Sequence, residues 1–110
     1  MAETFKNALI SNVANGSDAT LYTAPASTTT IILGVAIANK TATDSTALVK
    51  LTDTSTSVTT EIIPTVAIPS NTTLEVLAGQ KYILEAGDIL KIRAGHASTI
   101  DVTIGVLEIS

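Results

Sequence analysis

A serine nucleophile needs a base to take its proton and a third group to orient that base, and His96 is the chain's sole histidine. It lies in Arg93-Ala94-Gly95-His96-Ala97-Ser98, which reads as a loop, and no Gly-x-Ser-x-Gly elbow accompanies it. A cupin-type metal centre draws several histidines and a carboxylate from its strands, so one histidine does not build it. His96 therefore reads as a solvated loop or interface residue. Glu85 and Asp88 are the nearest carboxylate pair for glycosidic chemistry, which needs two such groups about 5–10 Å apart across the bond to be cleaved. They flank Ala86-Gly87, however, where an aspartate bonds the turn backbone and a glutamate faces solvent.

Calcium takes about six to eight oxygen ligands, and Asp53 with Thr54 and Ser55 offers a weak site at best. Tyr22 and Tyr82 read as packing residues with wet hydroxyls, and without tryptophan the chain lacks the usual platforms for stacking on sugars. Cysteine is absent, which excludes thiol catalysis, disulfides and sulfur-ligated metals. No Gly-rich loop leads into a helix to cradle phosphate. The expectation is a protein that is not an enzyme, with no catalytic, cofactor-binding or metal residues and no cofactor.

The elements that would position these residues are strands throughout. Val, Ile and Thr dominate and alternate with period two, a pattern that suits a pleated surface and crowds a helix. Over Thr29 to Asn39, alternation puts Ile31, Leu33, Val35 and Ile37 on a core face. Gly34, Ala36 and Ala38 fall on the other face beside Ile32, tight against a neighbouring element or subunit. Further strands are expected near Ala8 to Val13, and at 21–23, 47–52, 61–68, 73–77, 81–84, 89–94 and 99–109. Val106, Leu107 and Ile109 break strict alternation, which predicts a bulge at Gly105 or burial on both faces. Asn15-Gly16 reads as a tight hairpin, Pro25 ends a short strand, and Pro69-Ser70-Asn71 makes a corner. About eight short strands with turn signals at regular spacing predict an all-β fold, an antiparallel β-sandwich of jelly-roll-like form.

At 110 residues the chain is expected to form one domain over 1–110, with Met1 to Asn12 either an N-terminal arm or an edge strand. The net charge of −4 and six scattered basic residues argue against nucleic acid as a partner. The longest apolar run, Ile31 to Ala38, is far shorter than the roughly 18 residues of a membrane helix, so no membrane partner is expected. The start Met1-Ala2-Glu3-Thr4-Phe5-Lys6 has no basic-then-apolar signal pattern. Asn15, Asn39 and Asn71 fit the glycosylation sequon, which Thr-rich chains generate by chance. Charged residues are only 15% of the chain while mean hydropathy is +0.44, so more apolar surface is present than one small core uses.

Leu21-Tyr22-Thr23-Ala24-Pro25-Ala26-Ser27-Thr28-Thr29-Thr30-Ile31-Ile32-Leu33-Gly34, then Ala38-Asn39, Leu84-Glu85-Ala86-Gly87-Asp88-Ile89-Leu90-Lys91 and the ending Val106-Leu107-Glu108-Ile109-Ser110 form an ordered set. That set resembles a family of small structural proteins of tailed phages, particularly of marine and cyanobacterial hosts, over about Phe5 to Ser110. The resemblance implies a virion component without catalysis, made in the host cytoplasm and carried in the virion. It implies a capsid decoration (cement) protein that contacts the major capsid protein or other virion proteins and forms a homo-oligomer. Alternatives are an accessory protein of the neck, tail or fibre base, or a carbohydrate- or surface-binding module. The resemblance carries no functional residues with it.

Overall fold

The computed structural model describes residues 2–77 and 80–110. Among them nine strands form: β1 (Glu3–Ile10), β2 (Ala19–Thr23), β3 (Thr29–Asn39), β4 (Ser45–Asp53), β5 (Val58–Ile68), β6 (Thr72–Glu75), β7 (Tyr82–Leu84), β8 (Ile89–Ala94) and β9 (Ile100–Ile109). They build two antiparallel sheets. One has the order β1-β9-β3-β6, with β7 also on β3, and the other has the order β2-β8-β4-β5.

The pairing is nested. β4 pairs β5, β3 pairs β6 and β7, β2 pairs β8 and β1 pairs β9, as if one long hairpin closed at the β4–β5 turn had been rolled up. β6 and β7 lie along the same free edge of β3, at Ala36–Asn39 and Thr30–Ile32, and so act as one interrupted strand. This is the jelly-roll form of the β-sandwich, as the strand count and turn spacing predict.

Alternation supplies one apolar face per sheet. Ile32, Val35 and Ile37 of β3 and Val102, Ile104 and Val106 of β9 meet Leu21 of β2, Leu90 and Ile92 of β8 and Val49 of β4 in a buried core. Each such side chain contributes about 1.5–3 kcal/mol by leaving water. Polar groups inside are all partnered among the described residues. Asn39 donates through Nδ2 to the Thr43 and Ile68 carbonyls, and its Oδ1 accepts from the Thr41 amide and hydroxyl. That burial removes Asn39 from consideration as a glycan acceptor.

Three local expectations are corrected. Asn15-Gly16 is no hairpin: β1 and β2 belong to different sheets, so residues 11–18 cross between the layers while Val13 plugs the end of the core. The faces of β3 are not those simple alternation assigns. Its pairing with β9 shifts register between Ile32 and Gly34, which makes Leu33 an extra residue, and one extra residue inverts the parity of what precedes it. Ile32 therefore points into the core and Ile31 out of it. The bulge expected at Gly105 lies across from it, on β3. The segment 3–10 of the expected arm or edge is an edge strand paired along its length with β9, and Ala2 and Ser110 extend the pairing; Met1 lies outside the described residues.

Candidate functional site

The outer face of the five-stranded sheet is the most unusual surface of the molecule. Residues directly opposite on paired strands share a face, so the register reads out its rows. Phe5, Leu107, Ile31 and Ile83 form one row across β1, β9, β3 and β7. The next row along is Asn7, Gly105 and Gly34, and the one after is Leu9, Thr103, Ala36 and Glu75. No other strand covers this face among the described residues, and Phe5, Leu9 and Ile83 stay 75%, 63% and 62% exposed. Single exposed apolar residues are ordinary, whereas a contiguous apolar row marks a contact surface.

The outer face of the four-stranded sheet is charged. Lys50 of β4 and Lys91 and Arg93 of β8 are neighbours there: Lys50 stands opposite Lys91 and Arg93 opposite Leu48. Asp18 accepts from Lys50 at 3.1 Å and from Arg93 at 2.7 Å. Burial alone would raise the Asp18 carboxyl, but these two cations together hold it below its ordinary range. Glu61 lies opposite Lys50 on β5, so acidic partners interrupt the cluster.

The residues nominated by chemistry divide into two groups. His96 is an exposed loop residue whose carbonyl accepts from the Thr99 hydroxyl at 2.8 Å. Asp88 is buried and does the work of a turn: its Oδ2 accepts from the Glu85 amide and its Oδ1 from the Thr54 amide, while Glu85 itself is exposed. Asp53 closes its own turn by accepting from the Ser55 amide and hydroxyl. The fold brings Asp53, Glu85 and Asp88 together, with carboxylate oxygens within 4.8 Å of one another. Two of the three are committed to backbone amides.

Tyr22 is placed differently from expectation. Its hydroxyl is not wet: it donates to Glu108 Oε2 at 2.5 Å and shares a 2.9 Å bond with Thr30 Oγ1, tying the two sheets together near the β1 edge. Burial, and then the neighbouring Glu108, push the Tyr22 phenol up to about 12. The same hydrogen bond, with Lys6 at 3.2 Å, holds the Glu108 carboxyl below its ordinary value. At the opposite end Asp101 accepts from the Asn12 amide and pairs with Lys40 at 3.0 Å, and both contacts lower it. Tyr82 is half-buried against the core.

No protein-family model matches the chain, and none of the curated proteins compared with it matches in sequence. Solved structures resemble it in fold. A protein of Bacillus endospore appendages, described as a family of disulfide-linked pili, superimposes with a TM-score of 0.56 at 12% identity, over 98% of this chain and 88% of that one. The Drosophila NLP core, described in connection with pentamer formation and histone binding, gives 0.52 at 11% identity, over 99% and 98%. A chain of infectious bursal disease virus gives 0.44 at 10% identity, over 96% of this chain and 31% of its own. At such identities the first two show the shared sandwich alone, and the third is too loose to bear on function.

Reading by chemistry misses the apolar row altogether, because Phe5, Ile31, Ile83 and Leu107 come from four separate strands. A local signal exists: Leu107 and Ile109 are large and apolar on the parity opposite to Val102, Ile104 and Val106. A strand that is apolar on both parities at its end needs cover on both faces.

Proposed function

We propose that the protein is a structural subunit of a phage virion, a capsid decoration protein that acts by protein–protein contact and carries out no catalysis. The observation that carries this reading is the uncovered apolar row Phe5, Leu107, Ile31 and Ile83 on the outer face of the five-stranded sheet. The resemblance of its motifs to small tailed-phage proteins supports the same reading and supplies the partner, the major capsid protein or another virion protein. The Bacillus and Drosophila proteins are described as forming pili and a pentamer respectively, so a sandwich of this kind suits repeated assembly. Without cysteine, this chain would assemble by surface contact and not through disulfides. A sugar-binding module is less well supported, since Tyr22 spends its hydroxyl on Glu108 and Thr30 inside the sandwich.

The test is co-sedimentation of the purified chain with shells built from the major capsid protein of its parent particle. Saturable binding at a fixed ratio of copies to shell protein is the expected result. A chain that ignores shells at any ratio overturns the decoration reading and leaves a neck, tail or fibre-base position.

A further inference from the structure

Glycine in the middle of a strand weakens a sheet, and it is kept there for a bulge, a bend or a close approach by another backbone. Gly105, in the middle of β9, meets none of these needs within the described residues. Its backbone is not left-handed, the extra residue of the nearby bulge is Leu33 on β3, and a Cβ built on it would meet nothing within 4 Å. Gly34 opposite it is different, because a Cβ there would lie 2.7 Å from the Glu75 carboxylate, which folds over that end of the row. The open part of the glycine row is therefore a trough floored by Gly105 and bordered by Asn7.

One pleat away runs the ridge of Phe5, Leu107, Ile31 and Ile83. We infer that this face is an isologous interface with a second copy of the chain, the apolar ridge of each copy seated along the Gly105 trough of the other. A two-fold axis requires a surface complementary to itself, and a single ridge beside a single trough meets that requirement. Charge is placed accordingly: Glu3 and Asp101 stand on the margins of the face, the Glu75 carboxylate closes the Gly34 end of the trough, and the ridge and the open Gly105 end carry none. That is the distribution of an interface core with a polar rim.

The area suffices. Four strand positions at about 4.8 Å and eight residues of β1 at about 3.3 Å give about 500 Å² a copy. Two copies then cover about 1,000 Å², the floor for a specific contact and the size of a weak, reversible pair. The inference rests on reading this face as a contact surface, and it commits that surface to self-association.

Sedimentation velocity of the chain alone, at micromolar concentrations, is the experiment. The wild type is expected as a dimer that dissociates about tenfold or more readily in Ile83→Glu and in Gly105→Val. Val58→Glu, at a residue 52% exposed on β5 of the other sheet, is expected to change nothing. Gly105→Val puts a strand-favouring residue into open space, so retained thermal stability with lost association separates blocked docking from misfolding. A monomeric wild type, or an oligomer indifferent to both variants, overturns the inference. Shell co-sedimentation reads the functional proposal separately. A chain that self-associates through this face yet ignores shells keeps the inference and sinks the decoration reading, whereas a monomer that binds shells does the reverse.

Discussion

The Asn39 amide uses all its hydrogen-bonding capacity to hold the β3–β4 connection to the end of β5. Replacing it by alanine strands the buried Ile68 carbonyl acceptor, so Asn39→Ala is expected to cost about 2–3 kcal/mol in urea denaturation. In sequence Asn39 shows only as a sequon, because its partners at Thr43 and Ile68 are set by tertiary structure. The Tyr22–Glu108 pair, 86 residues apart, is illegible for the same reason. The turn role of Asp88 is legible because turn chemistry works within three residues, whereas Asp53, which closes its own turn, reads in sequence only as a weak calcium ligand. The pair also sets a pH dependence. Glu108 is depressed in the fold, so its contribution is present above the ordinary carboxyl value of 4.5 and is lost as pH falls through the lower folded value. Tyr22 is raised, so its contribution is full below 10.0 and is lost as pH climbs towards about 12. Tyr22→Phe should flatten the alkaline limb and shrink the acid one in melting curves taken across both windows.

At the scale of elements, two glycines differ in what they tolerate. Gly95 follows β8 and donates to the Thr46 carbonyl at 2.8 Å; a Cβ there would lie 2.0 Å from the Thr46 hydroxyl and 3.3 Å from its Cβ. Gly95→Ala is therefore expected to cost about 1–3 kcal/mol, partly recovered by Thr46→Ala, while Gly105→Ala is expected to be neutral or mildly stabilising in the same denaturation assay. Strand positions were readable from alternation and turn residues: 89–94 coincides with β8, and Pro69-Ser70-Asn71 does separate β5 from β6. What alternation does not contain is pairing. The Leu33 bulge exists only because β3 lies against β9, so the inner and outer residues at the start of β3 are exchanged relative to a reading of β3 alone. Asn15-Gly16 carries a hairpin signature but joins strands whose partners lie in different sheets.

For the whole molecule, nesting decides how the chain can fold. β4–β5 is the innermost pair and closes across a short turn, whereas β1–β9 joins residues as far apart as Glu3 and Ile109. Refolding is expected on the millisecond-to-second scale of non-local β topologies. Val49→Ala and Val106→Ala should each cost about 2–3 kcal/mol at equilibrium, the first appearing in the folding rate and the second in the unfolding rate of a chevron plot. Equal partition at both sites would exclude early formation of the inner hairpin. The position of β9, inserted between β1 and β3, also has a consequence for synthesis. Until the ribosome has released residues 100–109, β1 has no partner and β3 lacks its longest one, so an apolar edge waits open beside every other nascent copy on the same message. In cells the chain then depends on the speed of its last ten strand residues, and a stall just before Ile100 should send it to aggregates and not to the folded sandwich.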